Sequence, residues 1–197
     1  MALLLRHAAR PPIPPGEWGD SLALTVEGVL LARQLGEHLG ARLVALHTSP
    51  VARCVQTARL LGEGSRSDTG LQLDSMLGAP GAFISDGRLG GETLQRLGLD
   101  AFVDHLISGE GTLPGLAEPA AAARALVEHL LTRSGHVPGL HVFVTHDSLL
   151  APTVARVLRH PRLREHWPGF LEAAFFWRER RGTRGVYRDH EARLEGR

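Results

Sequence analysis

Apolar positions in this chain fall into short continuous runs and into longer periodic stretches. The short runs predict four strands, at residues 2–6, 43–46, 71–73 and 141–145. Runs of this length are typical of strands that a sheet buries on both faces. Two further segments, 170–177 and 186–190, predict a hairpin around Gly182 to Gly185.

Stretches with an apolar residue every three or four positions predict helices at 25–39, 50–61, 119–131 and 148–159. Thr25 is a typical N-cap residue, and Gly40 marks a plausible end for the first helix. Ser49-Pro50 has the form of a helix start, with an N-cap hydroxyl before proline at the first helical position. Pro152 is compatible with the last helix if it lies in the first turn.

The middle of the chain lacks a clear period. Gly62 to Gly70 reads as a polar linker, and residues 75–118 are rich in glycine and proline, with one helix predicted near 100–107. The charged residues at the C-terminus are expected to fray. We therefore predict a single domain over 1–197, with an irregular insertion or cap region at 62–118.

Strands that alternate with amphipathic helices indicate an α/β fold: a three-layer sandwich with a mostly parallel sheet and helices on both faces. In such a sheet the carboxyl ends of the parallel strands share one edge, where ligands bind. Polar residues that follow different strands should therefore meet there.

Composition narrows the function classes. The 197 residues are 43% hydrophobic and 22% charged, with a net charge of +1, which favours neither nucleic acid nor membrane as a partner. Every one of the 22 basic residues is arginine. Cys54 is the only cysteine, so no intrachain disulfide can form, and we expect a cytoplasmic location.

Arg6, His7 and Arg10 follow the first predicted strand directly. Arg53 lies one turn into the helix after the second strand, and His146-Asp147 follows the strand at 141–145. Arginines hold phosphate oxygens through forked, charge-assisted hydrogen bonds and lower the pKa of a nearby imidazole. The pattern predicts a phosphate site without cofactor or metal, in which phosphate or sulfate would bind.

The residues predict a division of labour within that site. His7 would be the nucleophile, while Arg6, Arg10 and Arg53 would bind the phosphoryl oxygens. His146 would donate to the phosphoryl group, and Asp147 would protonate the leaving oxygen and later accept a proton from water.

Several motifs in order along the chain resemble the histidine phosphatase superfamily, whose fold is phosphoglycerate mutase-like. The opening Arg-His-Gly of that family appears as Arg6-His7-Ala8. Its Leu-Thr-x-x-Gly and Ser-x-x-x-Arg-x-x-x-Thr-Ala elements match Leu24, Thr25, Gly28, Ser49, Arg53, Thr57 and Ala58. The acid phosphatase branch extends the opening and ends with His-Asp, which Arg10, Pro12, His146 and Asp147 match. The resemblance covers most of the chain except 62–118.

The resemblance implies that His7 is phosphorylated during turnover, that His146 is the second active-site histidine, and that Arg6, Arg10 and Arg53 bind phosphate. Two differences bear on this. Ala8 replaces glycine and would be strained if the backbone there had a positive φ. Many small members take the acid from a mid-chain glutamate, so Asp86, Glu92 and Glu110 are alternatives to Asp147.

The predicted function is a metal-independent phosphatase that hydrolyses small phosphomonoesters through phosphohistidine. Three alternatives stay open: a phosphomutase of the same fold, a phosphatase acting on phosphoproteins, and a non-catalytic module that binds phosphorylated ligands. Arg10 has a simpler alternative role, pairing with Glu17 or Asp20. Substrate identity and oligomeric state do not follow from the sequence, although we expect residues 75–118 and the loop 11–15 to form the substrate-selecting rim.

Overall fold

A computed structural model describes residues 1–14, 19, 21–135, 137–160, 163 and 165–194. Its seven strands are β1 Ala2–Arg6, β2 Leu43–Thr48, β3 Leu71–Leu73, β4 Leu140–Thr145, β5 Ala173–Glu179, β6 Gly182–Tyr187 and β7 His190–Leu194. Its six α-helices are α1 Val26–Leu39, α2 Ala52–Ser65, α3 Gly87–Leu97, α4 Leu99–Ser108, α5 Pro119–Ser134 and α6 Asp147–Thr153. Within these ranges no helix is both long and apolar enough to cross a bilayer.

The strands form one sheet in the order β3-β2-β4-β1-β5-β6-β7. β3, β2, β4 and β1 are parallel neighbours, whereas β5, β6 and β7 extend the sheet in antiparallel fashion. The α/β class is confirmed, and the parallel part is confined to four strands. Those four strands bring the ends of β1, β2 and β4 to one edge.

Alternating side chains of β1 face two different cores. Leu4 packs with Phe143 and with residues of α5 and α6, while Leu3 and Leu5 pack with residues of α2 on the opposite face. A strand buried on both faces must be apolar at every position, which explains the continuous run at the start of the chain. The sheet is the middle layer of three, as predicted.

Several predicted element boundaries need correction. The helix predicted from Pro50 begins at Ala52, with Val51 at its N-cap, and continues to Ser65 into the predicted linker. Residues 87–108 form two helices rather than one in an irregular segment. Pro152 is the sixth residue of α6, not part of its first turn, and the chain continues as a π-helical turn, Val154–Leu158. A proline there cannot donate to the carbonyl four residues back, and the backbone widens.

The C-terminal segment also differs from the prediction. The hairpin strands are Ala173–Glu179 and Gly182–Tyr187. Of the C-terminal residues expected to fray, 195–197 lie outside the described residues, whereas His190–Leu194 adds a third strand at the sheet edge. An edge strand with alternating polar residues has a weak hydrophobic period, which explains the miss. The predicted cap of α1 is confirmed, because the Thr25 hydroxyl accepts from the Gly28 amide at 3.0 Å.

Close packing of α1 on α2 depends on glycine. A Cβ on Gly36 would lie 2.4 Å from the Leu61 carbonyl oxygen, and one on Gly64 would lie 2.1 Å from that of Arg33. Real Cβ atoms do not approach backbone oxygens so closely, so a side chain at either position would push the helices apart. The crossing in turn fixes α2, which carries Arg53.

Gly36→Ala should therefore lower the free energy of unfolding by about 1–3 kcal/mol, because the α1–α2 contact must open. Gly91→Ala, in α3, is the matched control, because the new methyl group would have no neighbour within 4 Å. That control should raise stability by up to about 1 kcal/mol, because glycine costs backbone entropy in a helix. Urea unfolding measures both; equal effects at the two sites would contradict the packing argument.

Candidate active site

The candidate site lies where β1, β2 and β4 end. His7 follows β1, His146 follows β4, and Arg53 lies in the first turn of α2, just beyond β2. All three side chains are buried, with His7 only 1% exposed. The structure thus brings together residues more than 90 positions apart, as the parallel-sheet argument predicted.

Arg53 connects the two histidines. Its Nε donates to His7 Nε2 at 3.1 Å, and its Nη2 donates to His146 Nδ1 at 3.2 Å. A third bond, from Nη1 to the Gly19 carbonyl at 2.8 Å, fixes the guanidinium plane. The two imidazole rings meet edge to face, with centroids 5.5 Å apart. One cation therefore orients both rings.

The hydrogen bonds of His7 define its neutral tautomer. Nδ1 lies 2.8 Å from the Ala8 carbonyl oxygen, which can only accept, so Nδ1 carries the proton. Nε2 accepts from Arg53 and therefore keeps a lone pair directed at that guanidinium. Burial, together with the charges of Arg53 and Arg6, outweighs the Ala8 hydrogen bond and lowers the pKa of His7 to about 4. At neutral pH, His7 is uncharged.

His146 has the opposite tautomer. Its Nδ1 accepts from Arg53, so Nε2 carries the proton and donates to the Ser49 hydroxyl at 3.2 Å. Burial and the charge of Arg53 lower the pKa of His146 to about 3. The ring also touches Cys54, whose thiol lies 3.6 Å from Nε2. Burial raises the pKa of that thiol to about 12, so Cys54 packs as a neutral group.

Arg6 and Asp147 form an ion pair beside the histidines. Arg6 Nη2 lies 2.9 Å from the Asp147 carboxylate, and Arg6 also donates to the Pro168 carbonyl. Burial alone would raise the pKa of Asp147, but Arg6, the Trp167 indole N–H at 3.0 Å and the Ser148 amide together lower it. In this state Asp147 is ionised.

Arg10 stands at the margin of the cluster. Burial lowers its pKa, the charge of Arg53 lowers it further and that of Asp147 opposes the shift, which indicates that Arg10 shares their surroundings. Its Nη1 donates to the Pro11 carbonyl at 2.8 Å. The alternative partners Glu17 and Asp20, like Pro15 of the predicted rim, lie outside the described residues.

Two buried guanidinium donors of the candidate site lack a partner among the residues that the structure describes. They are Nε of Arg6 and Nε of Arg10. A buried N–H without an acceptor is costly, and an anion with several oxygens could satisfy both. This observation fits the predicted phosphate site independently of the motif.

Contacts in the structure explain why Thr57, Gly28 and Ala8 occupy their positions in the motifs. Thr57 accepts from the Ala8 amide at 3.0 Å and donates to the Arg53 carbonyl at 2.8 Å, so it ties the His7 segment to α2. A Cβ on Gly28 would lie 2.3 Å from the Ala9 carbonyl oxygen. Ala8 is fully buried against Leu24 and neighbours, and its φ is not positive. The strain considered for Ala8 is therefore absent.

The mid-chain carboxylates have other contacts. Asp86 caps α3 through the Leu89 amide, Glu92 pairs with Arg88 at 2.6 Å, and Glu110 is exposed. Of the predicted rim, Gly78 reaches the site: a Cβ there would lie 2.8 Å from both the His146 ring and the Ser49 hydroxyl. Among the four candidate acids, Asp147 is the one that the described contacts join to the cluster.

Sequence reasoning missed the segment after α6. Trp167 binds Asp147, and Phe170 stacks on Arg6, with the Arg6 Cζ atom 4.1 Å from the ring centroid. The apolar run at 170–177 predicts that Phe170 begins a strand, although Pro168-Gly169 just before it is a typical turn dipeptide. That turn signal could have identified 167–170 as a loop near the strand ends.

Comparisons with known proteins find one matching family model and several similar folds. A family model described as the histidine phosphatase superfamily (branch 1) matches residues 3–77, which include His7 and Arg53. No curated protein matches the chain at the level of sequence. The resemblance inferred from the motifs is therefore confirmed over residues 3–77.

Solved structures match nearly the whole fold at low sequence identity. Phosphoserine phosphatase from Entamoeba histolytica, bound to 3-phosphoglyceric acid, has a TM-score of 0.60 and 18% identity, over 97% of this chain and 96% of that chain. Phosphoglycerate mutase from Bacillus anthracis has a TM-score of 0.58 and 15% identity, over 98% and 90%. The mycobacterial glucosyl-3-phosphoglycerate phosphatase has a TM-score of 0.56 and 21% identity, over 88% and 87%. These similarities establish the phosphoglycerate mutase-like fold.

The lowered histidine pKa values make stability depend on pH. An unfolded chain protonates its imidazoles near their ordinary pKa of 6.5, whereas the folded protein keeps His7 neutral to about pH 4 and His146 to about pH 3. Below pH 6.5 the unfolded state therefore binds more protons, and the free energy of unfolding should fall as the pH drops from about 7 to about 5.

Urea midpoints near pH 7 and near pH 5 measure this effect, in a range above most of the carboxylate titration. His146→Asn should reduce the loss of stability on acidification. The control is His38→Gln, which changes an exposed histidine of α1 and should leave the loss as it is. An equal pH dependence in all three proteins would contradict the assignment.

Proposed function

Starting from the confirmed resemblance to the histidine phosphatase superfamily, we propose that this protein is a phosphatase that hydrolyses phosphomonoesters through a phosphohistidine intermediate without a metal ion. The observation that carries the proposal is the lone pair of neutral His7 Nε2, which faces Arg53 within a buried group of guanidinium side chains. A nucleophile and the charge needed to hold a phosphate dianion stand next to each other.

Substrate binding begins with an exchange of hydrogen-bond partners. The phosphate oxygens accept hydrogen bonds from the Arg53 N–H groups that donate to the imidazoles in this structure, and from the Nε groups of Arg6 and Arg10. This releases the lone pair of His7 Nε2 beside phosphorus. The Ala8 carbonyl continues to hold the proton on Nδ1 and keeps the ring oriented.

His7 Nε2 then attacks phosphorus, and the ester P–O bond breaks. Asp147 has by then taken up a proton from solvent, because the bound dianion raises its pKa. The electron pair of the ester bond goes to the leaving oxygen, which takes that proton from Asp147. A bound dianion also favours protonation of His146 at Nδ1, from where it donates to a phosphoryl oxygen. Arginines and His146 share the charge that spreads over these oxygens in the transition state.

Water completes the cycle. Asp147, now ionised, accepts a proton from a water molecule while the oxygen of that water attacks phosphorus and the P–N bond breaks. The bonding pair returns to His7 Nε2, and inorganic phosphate leaves. Asp147 recovers its proton with this step, so the groups are ready for the next substrate.

Replacement of the nucleophile tests the proposal most directly. His7→Ala should reduce phosphate release from 4-nitrophenyl phosphate by at least about 10³-fold, because no other group can take over the covalent step. His38→Ala, on the exposed side of α1, is the control and should keep full turnover. Unchanged turnover in His7→Ala would overturn the assignment. If the wild-type protein bound phosphate but released none from the ester, a non-catalytic binding module would be supported instead. If it transferred the phosphoryl group to a second hydroxyl, a mutase would be supported.

The role of Asp147 follows from leaving-group dependence. Asp147→Asn should lower the rate by about 10²–10⁴-fold on alkyl phosphates and much less on 4-nitrophenyl phosphate, whose leaving group needs little protonation. Asp86→Asn, Glu92→Gln and Glu110→Gln are the comparison variants and should stay close to wild type. A near-wild-type rate for Asp147→Asn on an alkyl phosphate would contradict this role, and the acid would then be the residue whose comparison variant loses activity.

A further inference from the structure

Phe170 is an aromatic side chain at the candidate site for which the proposed reaction has no use. The chain has six phenylalanines. Four of them are buried and Phe175 is half-buried, whereas Phe170 is 40% exposed. Its ring centroid lies 5.7 Å from that of His7. An exposed phenylalanine beside the proposed nucleophile leaves apolar surface in water at the place where a substrate would bind.

The backbone holds Phe170 in this position. Arg6 donates to the Pro168 carbonyl, and the Leu171 amide donates to the His7 carbonyl at 3.4 Å. Leu171 has a φ of 58°, a left-handed conformation that is unfavourable for a branched residue. Strain of this kind persists only where the surrounding contacts impose it, and it is concentrated at functional sites.

Arg6 supports the ring from one side. The guanidinium carbon lies 4.1 Å from the ring centroid, while the same guanidinium binds Asp147. The Asp147 carboxylate is also bound by Trp167, three residues before Phe170. Phe170 therefore stands close to the group that would protonate the leaving oxygen.

We propose that Phe170 selects phosphomonoesters whose leaving group carries an aromatic ring close to the ester oxygen. This inference rests on the proposed phosphatase function and adds a substrate class to it. The leaving group departs on the side of the acid, Asp147, and an aromatic ring attached there stacks on the exposed part of Phe170. The stack places Phe170 between the Arg6 guanidinium and the substrate.

Benzyl phosphate and propyl phosphate make a matched pair of probes, because both are esters of primary alcohols and need similar protonation. Stacking of this kind contributes about three- to tenfold, so wild-type kcat/KM should favour benzyl phosphate by about that factor. In Phe170→Ala the preference should disappear, and in Phe170→Leu, which keeps apolar area without a ring, it should shrink. Leu99→Ala, an exposed leucine of α4, is the control and should keep the preference.

Binding of phosphonates provides a readout that does not need turnover. Calorimetric Kd values for benzylphosphonate and propylphosphonate should differ by a similar factor in wild type and converge in Phe170→Ala. Hydrolysis of both esters with equal efficiency, and a ratio unchanged by Phe170→Ala, would overturn this inference while leaving the phosphatase proposal intact. Hydrolysis of 4-nitrophenyl phosphate but of neither ester would also overturn this inference alone. No phosphate release from any of the three would overturn the phosphatase proposal, and the phosphonate ratio would then decide the role of Phe170.

Discussion

The hydrogen bonds from Arg53 to two buried imidazoles are the interaction on which the rest of the site depends. Arg53 can only donate, so both His7 Nε2 and His146 Nδ1 must be unprotonated acceptors. Burial acts in the same direction: it lowers both histidine pKa values, because it disfavours the charged form of the ring. A protonated imidazole at either position would lose its hydrogen bond and face a guanidinium. The site thus holds neutral histidines among fixed positive charges, which is the state that a nitrogen nucleophile requires.

Several contacts between distant segments of the chain position these two imidazoles. Three parallel strands end beside one another and supply His7, the start of α2 and His146. Thr57 then ties the His7 segment to α2, and Gly28 lets α1 approach the Ala9 carbonyl. Each of these contacts joins two segments that are distant in sequence. Gly28 is needed because two backbone segments meet at its position, and Thr57 is needed because its hydroxyl binds backbone groups of both segments.

Much of the site was predictable because it depends on local patterns. Apolar runs identify buried strands, and the geometry of a parallel sheet then places His7, Arg53 and His146 at one edge. The helix at 87–97 was not predicted because three glycines, at 87, 90 and 91, obscure its period. Trp167 and Phe170 were missed for a different reason. Their importance comes from contacts with Arg6 and Asp147 across the sheet edge, and no local spacing records such contacts.

The Arg6–Asp147 pair connects substrate binding with the proposed acid. While the pair is intact, Arg6 keeps Asp147 ionised, which is the wrong state for donating a proton. A phosphate dianion competes with the carboxylate for the Arg6 guanidinium and also adds negative charge beside it. Both effects raise the pKa of Asp147, because each removes or opposes a stabilising positive charge. Trp167 donates to the carboxylate whether or not Arg6 does, so it can hold Asp147 in place during that exchange. The acid would therefore gain its proton only when phosphate occupies the site, and the contact that substrate binding must break would be the ion pair between Arg6 and Asp147.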